Sequence, residues 1–219
     1  MDFTKYFLLF MMYSTLGWIM EVTCKLFEKK KFINRGFLIG PYCPIYGFGC
    51  LGMIILLKKY LNDPLALFVM TTVICSILEY ATSYIMEKLF NARWWDYKNK
   101  KYNINGRICL ETMLPFGILG CLVMYFINPF FTTILNHIPS TILNIIAIIL
   151  LLIFIVDNIV SFNIISNFKT SFKYEDNTEE ITKKVKDILF KKSILNRRLI
   201  HAFPNIEEKI KKIKERIRT

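Results

Sequence analysis

Apolar side chains in this chain come in long blocks rather than in short amphipathic stretches. From Thr112 to Val156 no side chain is formally charged, and the same holds from Phe37 to Leu57. A run of about 20 apolar residues, at about 1.5 Å per residue, matches the roughly 30 Å hydrocarbon thickness of a bilayer. The blocks predict five spans, at about residues 6–27, 37–57, 64–90, 107–127 and 138–160. Asn128-Pro129 and residues 136–140 supply breakers between the last two, leaving 129–135 as a short interfacial stretch. The expected fold is all-α: a polytopic membrane helix bundle over residues 1–165, followed by a helical tail over 166–219. A soluble globular enzyme is excluded as the main reading. The first run lacks a small-residue cleavage site and reads as a retained helix rather than a signal peptide.

Charge sharpens this picture. The chain carries 29 Lys and Arg against 17 Asp and Glu, and residues 161–219 hold 15 of those bases and 8 of those acids. Lys29, Lys30, Lys31 and Arg35 follow the first span; Arg93, Lys98, Lys100 and Lys101 follow the third. The opposite connections carry only Lys5, Lys58 and Lys59. The positive-inside rule then puts the N-terminus outside and the C-terminus in the cytoplasm of a cell-membrane protein. The basic excess reads as this topology plus a tail facing anionic lipid headgroups, not as a nucleic-acid surface. In the tail, Ile181, Val185, Ile188, Leu189, Leu195 and Leu199 mark one apolar stripe. Ile206, Ile210, Ile213 and Ile217 mark another, and docking against the bundle is the alternative to lipid contact. None of the six cysteines forms a CxxC pair and there are only two histidines, so no metal site, disulfide framework or cofactor is expected.

The first two spans resemble the third and fourth. Glu21 and Arg35 lie 14 residues apart, as do Glu79 and Arg93. Asn34-Arg35-Gly36 reaches Pro44 after ten residues from Asn34, and Asn105-Gly106-Arg107 reaches Pro115 after ten from Asn105. Gly49 and Gly120 each follow their Asn by fifteen. Two parallel helical-hairpin repeats, about 6–61 and 64–127, are one reading; chance in a low-diversity membrane sequence is the other. The second half of each unit is broken by Pro and Gly, which points to a binding site at matched places or to close packing through small residues.

Acids within spans supply the candidate chemistry. Glu21, Glu79, Glu87, Glu111 and Asp157 all fall toward the predicted cytoplasmic side. A carboxylate at membrane depth costs roughly 2.5–3.5 kcal/mol on insertion scales, so each needs a partner, water or a function. Thr72, Ser76, Glu79, Ser83 and Glu87 line one face of the third helix, and Ser14, Gly17, Trp18, Glu21 and Lys25 one face of the first. One reading is a cytoplasm-facing cavity with Arg35, Arg93 and Arg107 at its mouth and Arg93-Trp94-Trp95-Asp96-Tyr97 as a clamp over it. The other is a set of structural Glu–Arg pairs, with Glu111 one turn from Arg107 and the Trp-rich segment as an interfacial belt. The candidate binding residues are Glu21, Arg35, Glu79, Arg93, Trp94, Trp95, Asp96, Arg107, Glu111 and Asp157; no catalytic residue is assigned.

Several motifs carry a family resemblance. Leu16-Gly17-Trp18 with Glu21, Asn34-Arg35-Gly36-Phe37-Leu38, Gly40-Pro41, Cys43-Pro44-Ile45-Tyr46-Gly47, Leu78-Glu79-Tyr80, Thr82-Ser83 and Arg93-Trp94-Trp95-Asp96-Tyr97 resemble the CmpB-like bacterial membrane proteins, labelled ABC-transporter type IV permeases. Asn105-Gly106-Arg107-Ile108-Cys109-Leu110 and Ala202-Phe203-Pro204-Asn205 fit the same pattern. The resemblance implies an integral membrane permease-like protein. The sequence has no GxxxxGK[ST] loop, so ABC transport would need a separate ATPase subunit. Five spans are few for a complete importer, which favours a homodimer or larger assembly. The alternatives are a membrane-embedded enzyme acting on lipid or headgroup substrates and a non-catalytic scaffold subunit.

Overall fold

Helix starts follow local chemistry. The computed structural model describes residues 2–30, 34, 36, 38–90 and 95–166. α1 spans Phe3–Lys29 and ends on Lys30 at φ 50°. α2 spans Pro44–Leu56, with Pro in its first turn where the missing N–H has no intrahelical partner to lose. α3 spans Pro64–Phe90, and Asp63 caps it by accepting from the Ala66 N–H at 3.0 Å. α4 covers Leu110–Leu122, α5 Asn128–His137 and α6 Ser140–Ser166. Before α4, β1 (Asn103–Ile104) pairs antiparallel with β2 (Ile108–Cys109). Asn105 and Gly106 turn between them at φ 54° and 68°, values an Asn-Gly pair adopts readily.

Three boundaries differ from the sequence reading. The second span is only 13 helical residues, about 20 Å by helical rise. Pro41 and Pro44 withhold two N–H groups and hold residues 38–43 as a coil that enters the bundle with Leu38, Tyr42 and Cys43 buried. Asn128-Pro129 is not a break. A π-helical segment, Val123–Ile127, joins α4 to α5 so that one apolar helix runs Leu110–His137. The widened turn precedes the proline, and the Asn128 N–H reaches back to the Val123 carbonyl. Arg107 lies in the ribbon rather than the helix, so the expected one-turn pair with Glu111 does not form. Four helices, at Phe3–Phe27, Pro64–Leu89, Leu110–His137 and Ser140–Asn163, are long and apolar enough to cross a membrane. The tail over 167–219 lies outside the described residues.

The helices pair as α1 with α2 and α3 with α4, each pair meeting through glycine. A Cβ on Gly47 would collide with Ser14 and Phe10 of α1, and one on Gly117 with Thr72 and Phe68 of α3. Leu9, Tyr13, Leu57 and Leu67 are essentially inaccessible at the heart of the apolar core, with Cys50, Met53, Val123 and Met124 around them. A second cluster of Phe10, Met11, Leu38 and Tyr42 packs against Phe154 of α6. The rest of α6 exposes Ile145, Ile148, Ile149, Leu152, Ile155, Val156 and Ile159, a surface suited to lipid acyl chains.

Candidate functional site

The polar faces of α1 and α3 approach the first turn of α2 from either side, where the two helix pairs adjoin. The Tyr46 hydroxyl, on the first turn of α2, donates to Glu21 Oε1 at 2.6 Å. The same phenol lies within electrostatic reach of Glu79, and Glu21 and Glu79 act on each other. From the segment preceding the ribbon, the Tyr97 hydroxyl donates to Glu79 Oε1 at 3.2 Å. Burial first, and the Glu79 carboxylate second, hold the Tyr97 phenol above its ordinary value, so it remains a hydrogen-bond donor at neutral pH. Glu79 is 7% exposed, and its Oε2 has no hydrogen-bond partner. Thr112 stands beside this carboxylate, but its hydroxyl donates to the Cys109 carbonyl at 2.9 Å in capping α4. Ser76, one turn before Glu79, is 5% exposed and its Oγ has no partner.

The ribbon is braced over α3 by a second constellation. Arg107 pairs with Glu87 at 2.6 Å and donates to Ser83 Oγ at 3.4 Å. Its guanidinium sits over the Tyr80 and Tyr84 rings, at 5.7 and 5.3 Å. Trp95 Nε1 donates to the Arg107 carbonyl at 3.0 Å, and the Tyr97 N–H to the Gly106 carbonyl at 2.7 Å. A buried arginine held by a carboxylate and two aromatic faces is a structural strut.

Asp157 makes a third, separate constellation. Its carboxylate accepts from the Ile39 N–H at 3.1 Å, the Gly40 N–H at 2.8 Å and the Tyr42 hydroxyl at 2.5 Å. Ser161 donates to it at 2.9 Å from the next turn of α6. The coil is held from its other side by Ser14, whose carbonyl accepts the Cys43 N–H at 2.9 Å, and by the Trp18 indole donating to Asn34 Oδ1 at 2.6 Å.

The candidates from sequence therefore divide. Glu21 and Glu79 come together; Trp95 and Arg107 brace the ribbon above them; Asp157 secures the coil. Glu111 is exposed and pairs with Lys100 at 2.7 Å, where its carboxylate raises the Lys100 ammonium above its ordinary value. Asp96 accepts from the Lys98 N–H at 3.0 Å and pairs with Lys98 at 3.4 Å in a surface turn. Arg35, Arg93 and Trp94 lie outside the described residues. The residues that sequence reasoning missed are Tyr46 and Tyr42, each bonded to one of the spanning acids, while Tyr97, named there as the end of the Trp-rich clamp, bonds to Glu79. The signal of the first two was present in the motifs, since both stand in the Pro/Gly-rich entry.

No curated protein and no solved structure matches the chain. The motifs that build all three constellations lie within residues 8–162, which match the family described as "Putative ABC-transporter type IV"; the chain belongs to that family and is a multi-pass membrane protein.

Proposed function

We propose that this protein is a permease-like membrane subunit of a transport system, with the Glu21–Tyr46–Glu79–Tyr97 cluster as its polar site. The observation that carries this reading is Glu79: a carboxylate buried between two apolar helix pairs, with one oxygen unused. A purely structural acid would be expected to use both oxygens, as Asp157 does. Family membership supports a separate ATPase chain as partner. The basic loops support an external N-terminus and a cytoplasmic C-terminus, which turns the cluster toward the cytoplasm. The tail's basic faces suit anionic lipid headgroups, and a homodimer would complete a transport path.

The two helix pairs form a parallel repeat in this reading. Gly47 on Phe10 and Ser14, and Gly117 on Phe68 and Thr72, support it. The positive φ of Gly36 and Gly106, 98° and 68°, supports it further. These pairs favour an alignment of Gly47 with Gly117, one residue away from the Asn34–Asn105 match of the sequence.

Native purification from membranes is the test. A stoichiometric ATPase chain is expected; a preparation that lacks one while retaining its native oligomer would overturn the ABC reading. Single cysteines at Asn62 and Asn99, in a cysteine-free background, should label from opposite faces, with position 99 cytoplasmic. A second reading, a non-catalytic scaffold subunit, is favoured by Arg107 and Asp157, since both are engaged in bracing backbone. It predicts that Glu79→Gln leaves transport by the intact complex unchanged.

A further inference from the structure

Glu79 is buried among groups that carry no positive charge. Among the described residues no basic side chain pairs with it. Arg107 is engaged with Glu87, further along α3. The titratable groups that face it are Glu21 from α1, Tyr46 from α2, Cys75 from the preceding turn of its own helix, and Tyr97 from the approach to the ribbon. Of these, Tyr46 and Tyr97 are phenols donating to carboxylates, and Glu21 is a second acid. None brings positive charge.

The hydrogen-bond count points the same way. Tyr97 occupies Oε1, while Oε2 is buried and has no donor. One turn away on the same face, Ser76 Oγ is buried and also unused. Ser76 has its own hydroxyl hydrogen yet does not reach Oε2, so no neighbouring donor offsets the charge there. Adding a proton to Oε2 removes a bare charge from a low-dielectric position. Among the described residues no group of three or more His, Cys, Asp or Glu side chains is placed to hold a metal ion.

We propose that Glu79 is a reversible proton-binding site, and that the ion handled at the polar site is a proton. The step is balanced by itself: one O–H bond forms on Oε2, one negative charge is lost, and the proton comes from and returns to water. Proton binding presupposes the polar site proposed above, but it is measured apart from transport.

The experiment is pH-dependent difference infrared spectroscopy of the full-length protein in nanodiscs, from mildly acidic to mildly alkaline buffer. A carbonyl band of a protonated carboxyl group is expected to appear reversibly as pH falls, to vanish in Glu79→Gln, and to persist at altered frequency in Glu79→Asp. Absence of such a band in the wild-type protein overturns the proposal whether or not the variants fold. So does a band that survives in a folded Glu79→Gln protein, or a carboxylate signal that responds to sodium at constant pH instead of to protons. If the band titrates but no transport is found, proton binding stands and the permease reading falls.

Discussion

The two helix pairs solve one problem in opposite ways. Each has a Gly-bearing helix packed on a long one, and each must lead the chain into that helix through a non-helical approach. In the second pair the approach is braced from within. The ribbon closes its own hydrogen bonds, and Arg107 ties it to Glu87 and Ser83 of the α3 helix it follows. In the first pair the coil at 38–43 has no ribbon, and two of its N–H groups reach Asp157 of α6, 117 and 118 residues away. A brace within the hairpin serves the second pair; the first adds to its α1 contact at Ser14 a tie to the last helix.

Breaking the local brace should have the largest effect. Arg107→Gln takes the guanidinium away from Glu87, Ser83 and two tyrosine faces, at a cost of about 3 kcal/mol, read as lost yield or a lower melting temperature in detergent. The double variant Arg107→Gln/Glu87→Gln should recover part of that loss, because both charges of the pair are removed. Recovery no better than the single variant would mean that the tyrosine stacking, not the ion pair, holds the ribbon.

Breaking the distant brace should be milder and confined to the first pair. Asp157→Ala removes a charged acceptor from four donors, and a loss of about 1.5–3 kcal/mol is expected from hydrogen bonds to an ionised group. A cysteine placed at Ile39 should become more reactive in this variant, while one at Ile104 should not. Equal gains at both sites would erase the contrast between the two pairs.

The glycine contacts sharpen the comparison. Gly47→Ala and Gly117→Ala should each cost about 1–3 kcal/mol by overpacking, since each methyl meets the facing helix. Gly52→Ala has only Ile74 Cγ2 at 3.9 Å to meet, and should stabilise α2 by roughly 0.5–1 kcal/mol through helix propensity. The smallest effect belongs to the surface. Glu111→Gln should return the raised Lys100 ammonium toward its ordinary value, visible by NMR of the labelled amine, without a measurable change in melting temperature. The sign follows from that rise: the pairing favours the folded state below the unfolded lysine's titration and fades as pH climbs through the folded one.

Much of the site was legible as residue types and little of it as partnerships. Glu21 and Glu79 stood out because a carboxylate inside an apolar run is costly wherever the helix lies. Arg107 stood out too, yet its partner was expected one turn on at Glu111. The helix register that would bring them together does not exist there, because Asn105-Gly106 turns the chain into a ribbon. Glu87 takes the guanidinium instead, since the ribbon folds back along α3.

The long spans of α1, α3 and α6, the start of α3 at Asp63-Pro64 and the turn at Asn105-Gly106 were set by the sequence alone. Hydropathy over a whole block, a capping side chain and a positive φ act over a few residues and need no distant partner. Tertiary structure decided the rest. It shortened the second span to Pro44–Leu56, because a coil of unpaired N–H groups can persist only where Asp157 and Ser14 receive them. It carried the helix through Pro129, because the π turn and the packed Val123 and Met124 offset the missing bond. It also brought Tyr46 and Tyr97 to the two acids, since side chains 25 and 18 residues from their partners meet only once the helices have packed.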